Sequence, residues 1–136
     1  MSTKKATTDM AENIYNLANN CGALSTQNGK MQWSKQMLDS FISNPDSFVL
    51  CYMSEDKIAG AIICMYSPDF FKLHIENLFV SPENRNKNIG ENLVNNAIDF
   101  AKKKGARYVC SLNSNLDGYF EKLGFNKGNI FNWYCL

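Results

Sequence analysis

Between Leu73 and Lys104 the spacing of apolar residues changes once, from the rhythm of a strand to that of a helix. Leu73, Ile75, Leu78, Phe79 and Val80 are large or β-forming, and Ser81-Pro82 closes the run as a turn. Ile89, Leu93, Val94, Ala97, Ile98 and Ala101 then recur at spacings of three and four. That pattern predicts an amphipathic helix through Lys104, with Gly105 at its C-terminal cap.

Upstream, Met1 to Thr8 is polar: either a solvated tail or, over Lys4 to Thr7, a short first strand. Asp9 is placed to cap a helix carried by Ile14, Tyr15, Leu17 and Ala18 and ended by Cys21-Gly22. After a polar loop from Ser25 to Lys30, Ser34 is placed to cap a second helix with Met37, Leu38, Phe41 and Ile42 on one face. Asn44-Pro45-Asp46 stops that helix. Ser47 to Met53 and Ile58 to Tyr66 predict antiparallel strands around the turn Ser54 to Lys57, and Gly60 permits a close approach. After Ser67-Pro68-Asp69 the long strand starts at Phe71 or Lys72. Downstream, Tyr108 to Leu112 predicts a strand, Leu116 to Leu123 a short helix closed by Gly124, and the chain from Phe125 is extended. Its apolar end, IFNWYCL, is expected to form a sheet edge able to pair with a second copy, so the protein is a monomer or a homodimer.

The polar loop SPENRNKNIG, between the long strand and its helix, carries the candidate chemistry. A helix N-terminus has unpaired N–H groups and about half a positive charge. A loop that turns its amides inward there makes a nest for a phosphate or diphosphate. Gly90, without a Cβ, lets a backbone or ligand come close. Arg85 and Lys87 add positive charge. The loop is not a Walker A, since no Gly-Lys-Ser/Thr follows, and it is not a G-x-G-x-x-G. Read alone, it fits either an anion site or an ordinary link with solvated cations.

Composition narrows the classes. The 136 residues point to one domain over residues 1–136. Hydrophobic residues at 45% and charged residues at 20% are ordinary for a globular chain. A net charge of +1 argues against nucleic acid or an acidic membrane surface as partner. The longest apolar run, Ile58 to Tyr66, is too short to span a bilayer, and the N-terminus lacks the apolar core of a signal peptide. Cys21, Cys51, Cys64, Cys110 and Cys135 are odd in number, widely spaced and without a C-x-x-C. They read as reduced thiols of an intracellular, cytoplasmic protein with no metal site.

The stretch Val80 to Leu93, VSPENRNKNIGENL, resembles the central motif of the GNAT superfamily of acyl-CoA-dependent N-acetyltransferases. That motif is a strand ending in a hydrophobic-Val pair, then x-P-x-x-(Arg/Gln)-x-x-Gly-x-(Gly/Ala), then a helix. Arg85 falls on the Arg/Gln position and Gly90 on the second glycine. Asn88 stands at the first glycine, a mild departure because asparagine tolerates positive φ. A second stretch, Tyr119 to Phe125 (YFEKLGF), is similar to the family's F-Y-x-K-x-G-F. The resemblance covers Ser47 to Phe125 and implies an α/β, three-layer fold. In that fold a mixed, mostly antiparallel central sheet is flanked by helices and splayed after the fourth strand.

It also implies a reaction: a primary amine, on a small molecule or a polypeptide, attacks acetyl-CoA directly in a ternary complex. Coenzyme contacts are implied for Leu78, Phe79 and Val80 at the strand end, and for Arg85, Asn86, Lys87, Asn88, Ile89, Gly90 and Glu91 in the loop and first helical turn. Asn113, or Asn115, matches an asparagine near the cofactor, with Asn113 preferred by its spacing from Phe120. A lysine-like ammonium has a pKa of about 10.4 and must lose a proton before attack. Glu76 matches a glutamate that several members place before the strand's end, and is the candidate base; otherwise it faces solvent or pairs with Lys72. His74, on the same face, is a relay or a bystander. The tyrosine that often protonates the leaving thiolate is here Phe120, so Tyr119 beside it is the candidate acid. Trp33, with Gln27 and Asn28, lies in the helical segment that serves the acceptor in this family; Trp33 alone also fits a packing anchor. The alternatives are an acyl-CoA-binding regulator with little or no catalysis, and an interaction domain that binds no nucleotide.

Overall fold

The computed structural model of the chain describes residues 2–21, 33–112, 118–128 and 131–136. Gln27, Asn28, Asn113 and Asn115 lie outside the described residues. Strand β1 is Ser2–Lys5, helix α1 Ala11–Asn20, helix α2 Lys35–Ser43, β2 Ser47–Ser54, β3 Lys57–Ser67 and β4 Lys72–Val80. Helix α3 follows at Ile89–Lys104, then β5 Tyr108–Leu112, α4 Tyr119–Lys122, β6 Asn126–Lys127 and β7 Phe131–Cys135.

The strands make one seven-stranded sheet in the order β1-β2-β3-β4-β5-β7-β6. All neighbours are antiparallel except β4 and β5, which run parallel. A parallel pair needs a crossover, and α3 supplies it. The stripe read from the sequence is the stripe that α3 buries: Ile89, Leu93, Val94, Ala97, Ile98 and Ala101, packed on Ile62, Leu73, Ile75 and Val109. On the other face, Ile14 and Ala18 of α1 and Leu38 of α2 cover Val49, Ala61, Ile63 and Phe79. Each fully buried Leu or Ile contributes about 1.5–3 kcal/mol. The expected three-layer architecture with a mixed, mostly antiparallel sheet is therefore present.

Both ends of α3 are shaped by left-handed residues. Gly105 (φ 79°) closes the C-terminus, its N–H donating to the Ala101 and Lys102 carbonyls. Lys102, Lys103 and Lys104 in the last turn complement the helix dipole. Ser34 caps α2 as expected, its hydroxyl accepting from the Met37 N–H at 3.1 Å.

Several expectations need correction. The first strand exists but lies at Ser2–Lys5, ahead of Lys4 to Thr7. Asp9 does not cap α1: a 3-10 turn, Thr8–Met10, precedes the helix, and the Asp9 carboxylate accepts from the Thr7 hydroxyl instead. Met37 is 53% exposed, because the buried stripe of α2 centres on Leu38, with Phe41 and Ile42 one turn on. The last strand is not an edge. β7 lies between β5 and the two-residue β6, which covers Asn132 and Trp133. The short helix runs over Tyr119–Lys122, ahead of its expected end at Leu123.

Two bulges were hidden in the alternation. Tyr52 pairs with Gly60 and Met53 with Ile58, leaving Ala59 extra on β3. Ile63 pairs with Asn77 and Cys64 with Ile75, leaving Glu76 extra on β4. The second bulge changes the parity of β4. Leu73 and Ile75 face α3 before it, and Leu78 and Val80 face α3 after it, while Phe79 joins the opposite layer.

All five cysteines are free thiols. Burial pushes the Cys51 thiol up to about 12 and the Cys64 thiol well above its ordinary range, so both behave as small apolar side chains. No helix among the described residues is long and apolar enough to cross a membrane.

Candidate functional site

The site forms where β4 outruns its parallel neighbour. β4 pairs with β5 from Lys72↔Tyr108 to Ile75↔Ser111, and the ladder ends there. β4 itself continues to Val80, still held on its other side by β3 as far as Gly60↔Val80. Backbone groups of a strand point alternately to its two neighbours. The groups of residues 76–80 that face β5 therefore have no strand partner among the described residues. This is the splay expected after the fourth strand, a cleft in the pairing of the sheet with strand-like donors and acceptors along β4.

The loop at the cleft's mouth is tied down by side chains. Ser81 is buried, its N–H donates to the Ala59 carbonyl at 2.8 Å, and its hydroxyl accepts from Asn84 Nδ2 at 2.8 Å. Arg85 Nε donates to the Val80 carbonyl at 3.2 Å, so the cation is held at the strand end. Lys87 Nζ reaches Asn84 Oδ1 at 3.5 Å. Asn86 (φ 62°) and Asn88 (φ 60°) are both left-handed. Asn88 thus adopts the conformation for which it replaces a glycine.

Asn88 is the N-cap of α3, yet its side chain makes no capping bond. The first backbone bond of the helix is from the Asn92 N–H to the Asn88 carbonyl, at 3.0 Å. Among the described residues nothing accepts from the amides of Ile89, Gly90 and Glu91, which stand at the positive end of a sixteen-residue helix. Ile89 and Phe79 bury their side chains and can offer a ligand only backbone. Together the three amides, Arg85 and Lys87 suit an anion of diphosphate size.

Glu76 and His74 come together on the face opposite α3. His74 Nδ1 lies 3.2 Å from Glu76 Oε1, with both side chains partly exposed. Lys72, the other partner considered for Glu76, instead places its Nζ 5.4 Å from the centre of the Phe70 ring. Glu76 is the bulged residue, so its carboxylate is set by a local kink at the ladder's end. A carboxylate there can accept a proton from a group entering the cleft.

Tyr119 packs on the α3 side of the sheet, against the same cluster as Leu78 and Val80. The Tyr119 hydroxyl lies against Gly90: a Cβ built on Gly90 would overlap Tyr119 Oη. Burial pushes the phenol above its ordinary value of 10, and Glu91 adds to the rise. Phe120 turns the other way and is buried, edge-on to Phe125 at 5.1 Å. Trp33 packs edge-on to Phe41 at 5.2 Å, the packing role.

One neighbour had no signal in the sequence. Cys21, at the end of α1, has its thiol 3.7 Å from the Val80 carbonyl, fifty-nine positions away. Two surface hollows, of about 510 Å³ beside α2 and about 410 Å³ between β1 and the β2–β3 turn, are lined by none of these groups.

A profile described as the acetyltransferase (GNAT) family matches residues 11–125. No curated protein sequence matches the chain. Solved structures with a similar fold include PaiA N-acetyltransferase from Thermoplasma acidophilum in complex with coenzyme A (TM-score 0.81, 20% identity, 100% of each chain covered). The ribosomal-protein-S18-alanine N-acetyltransferase from Escherichia coli is another (TM-score 0.80, 17% identity, 98% of this chain and 92% of that one). A third is a GNAT family acetyltransferase from Brucella melitensis in complex with acetyl-CoA (TM-score 0.77, 17% identity, 99% of this chain and 87% of that one). At these identities the likeness is one of fold.

Proposed function

The chain belongs to the acetyltransferase (GNAT) family, and from that premise we propose that it is a one-domain N-acetyltransferase that moves an acetyl group from acetyl-CoA to a primary amine in a ternary complex. The observation that carries this reading is the uncapped first turn of α3 beside Arg85 and Lys87, at the mouth of the cleft where β4 leaves β5. Solved neighbours hold coenzyme A or acetyl-CoA, which gives the anion site a fitting guest. Acetyl-CoA supplies a thioester carbonyl open to attack.

The chain's own groups then have distinct tasks. The amides of Ile89, Gly90 and Glu91, with Arg85, Lys87 and the left-handed turns at Asn86 and Asn88, hold the diphosphate. The backbone groups of the Leu78–Val80 strand end that face away from β3 take the pantetheine arm as a short added strand and donate to the carbonyl oxygen as negative charge grows on it, while the Val80 carbonyl stays bonded to Arg85 Nε. Glu76 takes the proton the amine must lose, and His74 holds its carboxylate in place. As the N–C bond forms, the C–S bond breaks and the thiolate leaves with its electron pair. A thiol of pKa about 8.5 leaves tolerably as the anion near neutrality.

The acceptor is a small-molecule or polypeptide amine. One neighbour is named for a ribosomal-protein alanine, so peptides with N-terminal alanine belong in a panel beside small amines. Titration of coenzyme A should release heat and raise Tm, and acetyl-CoA with the panel should liberate free thiol. Absence of heat would remove the coenzyme from the proposal. Binding without thiol release from any amine would leave a coenzyme-binding protein without catalysis.

Arg85→Ala is expected to raise the Kd of coenzyme A about tenfold, the value of a charge-assisted contact, and to leave the KM of the amine nearly unchanged. Calorimetry and initial rates read the two separately. A larger effect on the amine would assign Arg85 to the other half of the site.

A further inference from the structure

We propose that Tyr119 positions the coenzyme: its hydroxyl donates to the diphosphate at the first turn of α3, and residue 90 is glycine to leave room for that hydroxyl. This rests on the coenzyme reading above.

Gly90 is not needed for its conformation, since it is absent from the positive-φ glycines, which are Gly105, Gly118 and Gly124 among the described residues. It is needed for space. A Cβ there would overlap Tyr119 Oη and touch Cζ at 3.4 Å, so the phenol would have to swing away from α3. Gly118, left-handed at φ 74°, starts α4 so that Tyr119 faces α3 while Phe120 enters the core. The rings of Tyr119 and Phe120 are nearly perpendicular (86°), and Phe120 is the buried one of the two. Among the described residues nothing accepts a hydrogen bond from the Tyr119 hydroxyl. It stands beside three uncapped amides, and a phosphate oxygen seated on those amides meets it as a fourth donor.

The same environment argues against proton delivery to the leaving group. Burial and Glu91 keep the phenol protonated above its ordinary range. Passing its proton to a thiolate whose acid has a pKa of about 8.5 is uphill. Donating a hydrogen bond to an anion requires no transfer.

Coenzyme A and its pantetheine-free fragment, adenosine 3′-phosphate 5′-diphosphate, separate the two ends of the ligand. Tyr119→Phe keeps the ring packing and removes only the hydroxyl. Its Kd, measured by calorimetry or displacement, should rise about tenfold for both probes by the same factor, as expected for one charge-assisted bond. A loss for coenzyme A alone would put the hydroxyl at the thiol end and overturn the proposal. Unchanged affinity for both would reduce Tyr119 to packing and also overturn it. A wild-type protein that binds coenzyme A but not the fragment would overturn it as well. Failure of the wild type to bind coenzyme A would instead remove the earlier reading itself.

Discussion

Glu76→Gln should lower kcat by about a hundredfold to ten-thousandfold, the usual contribution of a positioned base, and leave the Kd of coenzyme A unchanged. The amide keeps the size and the hydrogen-bonding reach of the carboxylate, so the bulge at residue 76 and the contact with His74 Nδ1 have no steric reason to change. What is lost is the ability to take a proton. Glu76 contacts His74 at the end of the β4–β5 ladder and touches neither Arg85 nor Lys87, which bond the Val80 carbonyl and Asn84, so binding and turnover should separate cleanly. Free-thiol release at saturating acetyl-CoA, beside a calorimetric titration, reads both. Unchanged turnover would take Glu76 out of the mechanism.

Gly60→Ala should destabilise the fold by about 1–3 kcal/mol, the cost of overpacking. An ideal Cβ on Gly60 would stand 2.8 Å from the Phe79 carbonyl oxygen, 3.2 Å from Val80 Cγ2 and 3.4 Å from Ile89 Cγ2. The first of these is backbone and cannot rotate away. Gly60 is also absent from the positive-φ residues, so alanine meets no conformational penalty, and its lower unfolded-state entropy offsets part of the clash. Relief requires β4 to shift at Phe79 and Val80, the strand end proposed to take the pantetheine arm. A lowered Tm and a weakened response of Tm to added coenzyme A are therefore expected together. A variant with wild-type Tm and wild-type response would show that β4 yields there at no cost.

The parts of the molecule legible in the sequence are those set by local chemistry. The stripe from Ile89 to Ala101 and the left-handed cap at Gly105 follow from spacing and residue type alone. So does the left-handed Asn88, because asparagine is the next residue after glycine to accept that conformation. The bulge at Glu76 was not legible: Glu76 and Asn77 are both polar, so an extra residue between Ile75 and Leu78 breaks no visible alternation. The place of β7 between β5 and β6 depends on pairing across the whole sheet, which composition does not encode. The direction of Tyr119 depends on Gly118 and on a packing choice between two adjacent aromatics. The motif read Tyr119 as a candidate proton donor; the fold decided which helix its hydroxyl meets.

Among the described residues the two halves of the sheet are stitched by four rungs, Lys72↔Tyr108 to Ile75↔Ser111. They resemble two plates riveted along one short seam, with the wedge between them opening from the last rivet. The depth of that wedge belongs to the seam and not to the residues lining it. One rung more would shorten the wedge from its closed end, and one rung fewer would deepen it, with every side chain at the mouth left as it is. The reach of that wedge is thus set at rungs beside His74 and Glu76, ahead of the loop that carries Arg85 and Lys87.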